Sequence, residues 1–171
     1  MLYISLALII FIISVDQVTK NLVLSEIGIG GRPIIVVERF FYIVCHRNSG
    51  AAWGILKNGR LFFLVLTPIM LVAMLVLLIC NKNTLLRFAL SFIIGGALGN
   101  FIDRLLAGSV VDFLDFYIFG YNFPTFNAAD SSIVFGSFLL IIFSLRSEKA
   151  KVHKKKIIDD GCAEANDKTD M

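Results

Sequence analysis

Leu61 to Cys80 is a run of 20 residues without one charged side chain. A helix of about 20 apolar residues spans the roughly 30 Å hydrocarbon core of a bilayer. In water, a helix apolar on every face would have to be wrapped by the rest of the chain. A chain of 171 residues that is 57% hydrophobic and only 17% charged has little polar surface for that wrapping. Soluble domains are about 45–50% apolar and about 25% charged. The bilayer is therefore the expected solvent, and it imposes a strict rule: within hydrocarbon the backbone must be helix or closed barrel.

Three further stretches fit a span, at about 2–24, 85–106 and 126–145. The first lacks a basic leader, and Asp16-Gln17 follows its apolar run instead of small residues, so an uncleaved span is expected rather than a signal peptide. Pro68 lies inside the second, where neighbouring helices can compensate for the lost backbone bond. Between the first two spans, Gly28, Gly30, Gly31 and Pro33 break any helix. Ile34 to Val37 and Phe40 to Val44 are then β-branched and aromatic, with Glu38-Arg39 between them, so short strands are expected. Unpaired strand edges cannot lie in lipid, so residues 32–60 should form a sheet-like platform on the bilayer surface. Residues 107–125 read as a loop lobe with a Gly120…Pro124 turn, and residues 146–171 as a basic, then acidic, disordered tail.

Basic residues set orientation. Arg146, Lys149, Lys151, Lys154, Lys155 and Lys156 follow the fourth span, and Lys82 sits in the turn between the second and third. Both termini are then cytoplasmic. Arg32, Arg39, Arg47, Lys57 and Arg60 oppose this, but they lie in the segment expected to be folded. The cysteines Cys45, Cys80 and Cys162 have no paired spacing, and His46 and His153 are isolated, so neither a disulfide framework nor a metal site is expected, nor any cofactor.

With that orientation, Asp16, Lys20, Asp103, Arg104, Asp112 and Asp130 all fall at one leaflet, the outer one. Ionisable groups at membrane depth cost several kcal/mol, about 2.5–3.5 each on insertion scales. Some have ordinary structural explanations. Asp16 and Lys20 can pair one helical turn apart. Arg104 can neutralise a carboxylate, and Asn127-Ala128-Ala129-Asp130 fits a helix N-cap with an acid at N3. Gly95 and Gly99 suit close packing of spans. Asp112, inside Val110-Val111-Asp112-Phe113-Leu114, has no basic neighbour before Pro124, although Asp115 competes for any role. Desolvation should raise its pKa, and a second acid nearby, Asp130, would raise one of the two further. Such a pair can supply a base to activate water and an acid to protonate a leaving amine. The other readings are an ion pathway through the span charges or a membrane scaffold. The first lacks the internal repeats of many transporters, and the second has no use for so many polar groups.

Five segments in order, Asp16-Gln17-Val18-Thr19-Lys20, Asn48-Ser49-Gly50-Ala51-Ala52-Trp53, Gly99 to Arg104, Val111-Asp112-Phe113 and Phe126 to Asp130, resemble the lipoprotein signal peptidases, or type II signal peptidases, over residues 1–145. The resemblance implies a single bacterial inner-membrane peptidase domain: an all-α bundle of four transmembrane helices with an extramembrane β-cradle and a periplasmic lobe. It places the catalytic aspartates on Asp112 and Asp130, near the outer leaflet. The supporting positions fall on Asp16, Lys20, Asn48, Gly50, Asn100, Asp103, Arg104 and Asn127. The implied reaction removes the signal peptide from a diacylglyceryl-modified prolipoprotein, cutting before the lipidated cysteine. It needs no metal and no nucleic acid, has membrane lipid and the prolipoprotein as partners, and is complete in a monomer. Trp53 stands where the family usually has Phe, and Cys45-His46-Arg47 is more basic than the pattern.

Overall fold

The computed structural model describes residues 2–50 and 60–167. Its elements, in chain order, are α1 (Leu2–Glu26), β1 (Ile34–Val37), β2 (Phe41–Asn48), α2 (Arg60–Cys80), α3 (Thr84–Ala107), β3 (Val110–Ile118), β4 (Tyr121–Asn122) and α4 (Ala128–Asp167). All four helices contain a stretch long and apolar enough to cross a membrane, close to the limits expected from sequence.

The third helix is the axis of the bundle. In its most apolar window 56% of residues are buried, against 11% in α2, so α2 turns most of its surface outward to lipid while α3 packs on each of the other helices. Ile9, Leu71, Leu78, Leu86, Leu90 and Ile94 form the apolar centre. Glycines allow the close approach: a methyl group at Gly96 would collide with the Ala129 carbonyl oxygen of α4, and one at Gly136 would lie 2.7 Å from the Ala89 carbonyl oxygen. In lipid, where no hydrophobic effect drives helices together, such contacts supply the packing. The ends of α3 are capped locally. Asn83 Oδ1 accepts from Leu86 N at 3.1 Å, and Gly108 closes the C-terminus at φ 74° with its N–H on Arg104 O.

Beyond one end of the bundle lies a four-stranded antiparallel sheet, in the order β1-β2-β3-β4. The segment 107–125, expected as a loop lobe, is largely strand: β3 pairs with β2 from Phe41↔Phe116 to Asn48↔Val110, and so joins the first loop in one sheet. Its sequence is β-branched and aromatic enough for a strand, but Asp112 and Asp115 interrupt the apolar pattern. The strand instead buries both acids. Phe119-Gly120 make a tight hairpin turn with both φ positive, 51° and 81°, as the twist of a two-residue connection demands. Phe116 anchors the sheet, stacked between Phe41 and Phe126 at 4.4 and 5.7 Å.

The fourth helix also departs from expectation. It does not stop near Leu145 but runs to Asp167, through the tail expected to be disordered. Lys, Glu and Ala are good helix formers, and extending a helix already nucleated in the bundle avoids a second nucleation step. Trp53, with residues 51–59 of the expected cradle, lies outside the described residues.

Candidate active site

The polar positions singled out in sequence come together where the helix ends meet the sheet. At the base is a buried ion cluster. Lys20 Nζ lies 2.7 Å from Asp16 Oδ2 on its own helix and 2.9 Å from Asp103 Oδ2 on α3. Asp16 and Lys20 are 0% and 2% exposed, so this one cation compensates two carboxylates out of water. Breaking such a pair strands a charge, at about 3–5 kcal/mol. Asp16 also caps α4, accepting from Ala129 N at 2.9 Å. Gly99 makes room for it: a Cβ there would sit 2.5 Å from Asp16 Oδ2. The Gly95–Gly99 stripe therefore shapes the site as well as packing the bundle.

Two asparagines transmit this base to the layer above. Asn100 Oδ1 accepts from Lys20 Nζ at 3.1 Å, and its Nδ2 donates to Asp130 Oδ1 at 2.7 Å. Asn127, fully buried, caps α4 through Oδ1, which accepts from Asp130 N at 2.9 Å; in return Asp130 Oδ2 accepts from Asn127 N at 3.3 Å. This is the reciprocal cap expected from the sequence. Asn127 Nδ2 reaches in addition to Asp112 Oδ1 at 2.7 Å. Asn48 Nδ2 holds the other oxygen, Oδ2, at 2.9 Å, while Asn48 Oδ1 accepts from Gly50 N.

Asp112 and Asp130 both line a cavity of about 380 Å³, with Asn48, Gly50, Asn100 and Arg104. Asp112 is 3% exposed, and its pKa is pushed up to about 6. Burial is the main cause and the Asp130 carboxylate adds to it, against the hydrogen bonds from Asn48 and Asn127. Asp115 does not share this cavity; it lies at a second one on the other side of β3.

Arg104 is placed differently from the simplest sequence reading. Among the described residues it forms no ion pair within 4 Å, since Lys20 takes that role for Asp103. Its Nη2 donates to Gly50 O at 3.1 Å, and its guanidinium lies 4.4 Å above the Phe63 ring. Its buried Nε has no hydrogen-bond partner. Two contributors were not singled out in sequence. Gln17 Nε2 donates to Asp103 Oδ1 at 2.9 Å, and its signal was available as a polar side chain at membrane depth beside Asp16. Phe63 carried no such signal, being one apolar residue in a wholly apolar span.

The arrangement offers two carboxyls on one cavity, donors on its wall and a charged base that fixes both. Comparison with known proteins bears on the family of the chain. The family model described as Signal peptidase (SPase) II matches residues 8–146. The lipoprotein signal peptidases of Staphylococcus aureus strains JH9 and Newman are each 44% identical over 153 residues, covering 88% of this chain and 93% of the relative. Two solved structures, each described as a bacterial membrane enzyme, superpose with TM-scores of 0.79 and 0.75 at 44% and 45% identity. They cover 84% and 82% of this chain and 88% and 92% of their own. A peptidase built on four membrane-length helices and a small antiparallel sheet, this chain belongs to the signal peptidase II family.

Proposed function

We propose that the chain removes the signal peptide from diacylglyceryl-modified prolipoproteins, cutting before the lipidated cysteine with a water activated between Asp112 and Asp130. The observation that carries this reading is the pair of carboxyls lining one cavity, each oxygen already held by a donor. In the proposed reaction one carboxylate takes a proton from water as its oxygen attacks the scissile carbonyl. The other, protonated, gives its proton to the departing amine as the C–N bond breaks. Asp112, raised to about 6, retains a protonated fraction near neutral pH. Asn48 Nδ2 and the Arg104 guanidinium, on the cavity wall, are suited to the oxyanion that develops on the carbonyl. Asn100, Asn127, Asp16, Lys20 and Asp103 act as positioning residues.

A lipid-bearing substrate fits the walls. Thr67 of α2 and Ile133 and Val134 of α4 also border the cavity, and Val134 is 69% exposed on the helix surface. That side supports lateral entry from the bilayer, with the acyl chains left in lipid. In this reading the chain is a monomer in the bacterial cytoplasmic membrane, both termini inside, with its site near the outer leaflet. The test is cleavage of a diacylglyceryl-modified peptide beside its unlipidated twin by the purified chain. The lipidated peptide should be cut at the bond before its modified cysteine and the other left intact. Equal cleavage of both, or cleavage elsewhere, contradicts the substrate class.

A further inference from the structure

β3 carries a second carboxyl that the peptidase reading does not use. The irregularity in the β2–β3 pairing is on β2, so β3 itself alternates regularly and Asp115 projects from the face opposite to Asp112. Asp115 is 6% exposed, and its Oδ1 has no hydrogen-bond partner. It borders a separate cavity of about 680 Å³, with Pro33, Ile35, Arg39, Tyr42 and Tyr117 around it. Burial pushes its carboxyl up, opposed by His46 and by a hydrogen bond from Asn122. A buried carboxyl oxygen without a donor is costly for a fold to keep, and Arg39, on the same cavity, forms no ion pair with it.

The surroundings specify what would fill it. The Tyr42 and Tyr117 rings meet edge to face at 5.4 Å beside the carboxyl. A carboxylate with aromatic rings is the usual setting for an ammonium group. Arg39 adds a cation at the same cavity, matched to an anion a few bonds away. Its backbone is held at φ 61° in the β1–β2 turn, where its N–H donates to Tyr42 Oη at 2.8 Å. Part of the cavity wall is exposed apolar surface: Ile35, which borders it, is 62% exposed. A water-soluble zwitterion would leave that surface wet, whereas a lipid would cover it.

We propose that this cavity binds the headgroup of an amine-bearing phospholipid, the ammonium on Asp115 beside Tyr42 and Tyr117 and the phosphodiester on Arg39. The site rests on the placement of the sheet at the bilayer surface and is independent of the catalytic assignment. It would tie the sheet to the headgroup layer on the side away from the peptidase cavity.

The test uses the full chain, purified in maltoside micelles and stripped of lipid, with lipid retention read by native mass spectrometry. Phosphatidylethanolamine should be retained at one molecule per chain. Its N-acetylated analogue, which has lost the ammonium, should bind at least tenfold more weakly, as should phosphatidylglycerol. Asp115→Asn should erase the preference for the amine. Arg39→Gln should weaken binding of both natural lipids. Equal retention of the native and N-acetylated lipids overturns the proposal. So does undiminished preference in folded Asp115→Asn, or displacement of the lipid by a lysine peptide at lower concentration than by the lipid itself. Should Asp115→Asn not fold, the acetylation comparison on the unaltered chain and Tyr117→Leu decide the matter by the same criteria.

Discussion

Asp112 is the side chain on which the site's electrostatics turn. Its folded pKa of about 6 lies above the ordinary 3.8, so the folded state binds the proton more tightly than the unfolded chain does. Its contribution to stability is therefore greatest below about pH 4 and is lost as the pH rises through about 6. Keeping it ionised at neutral pH costs about 3 kcal/mol relative to water. Asp112→Asn, which keeps an acceptor for Asn127 but carries no charge, should raise the thermal unfolding midpoint at pH 7–8, by an amount worth up to about 3 kcal/mol. The advantage should close below about pH 4. A variant no more stable than the unaltered chain at pH 8 would show that the carboxylate is not strained there. At this scale the sequence was informative because ionisable and amide side chains are conspicuous among apolar ones. Asp16, Lys20, Asn100, Asp103, Asn127 and Asp130 all meet in one network. The partner of Arg104 was not legible, since which carboxylate takes which cation depends on helix rotation that spacing alone leaves open.

At the scale of elements, the first turn of α4 delivers Asn127 and Asp130, and its seating on α3 depends on Gly96. Gly96→Ala would drive a methyl group into the Ala129 carbonyl and lift that turn. The expected cost is about 1–3 kcal/mol, typical of overpacking. Cleavage should fall by more than the stability loss alone explains, because two site residues move with the turn. Thermal unfolding and turnover measured on the same preparation test this; unchanged turnover with lowered stability would mean that the turn is not displaced. The membrane-length stretches of the helices were legible from hydropathy to within a few residues, because the bilayer allows few alternatives. β3 was less legible. Its partner strand β2 lies on the far side of α2 and α3 in the sequence, with Asn48 facing Val110, a pairing no local pattern encodes, and its two acids hide the apolar alternation. The helical tail was missed for the opposite reason: composition suggested disorder while local propensity favoured continuing α4.

For the whole molecule, the pairing of β2 with β3 places the α1–α2 and α3–α4 connections at the same end of the bundle, which the proposed outward-facing site requires. Arg39 and Arg47, which opposed the orientation when loops were compared by charge, sit in or beside folded strands of that sheet. In intact cells an impermeant thiol reagent should label Phe119→Cys at the tip of the β3–β4 hairpin, where the side chain is fully exposed, and not Lys82→Cys in the α2–α3 turn. The reverse pattern would invert the topology and move the cavity to the cytoplasmic face. The claim on which the rest depends is that Asp112 and Asp130 act together on one peptide bond. The most direct measurement is single-turnover cleavage of a lipidated peptide by Asp112→Asn and by Asp130→Asn, each shown to be folded by its unfolding transition. Neither variant should cleave detectably. Near-normal turnover by a folded variant of either aspartate would contradict their joint action.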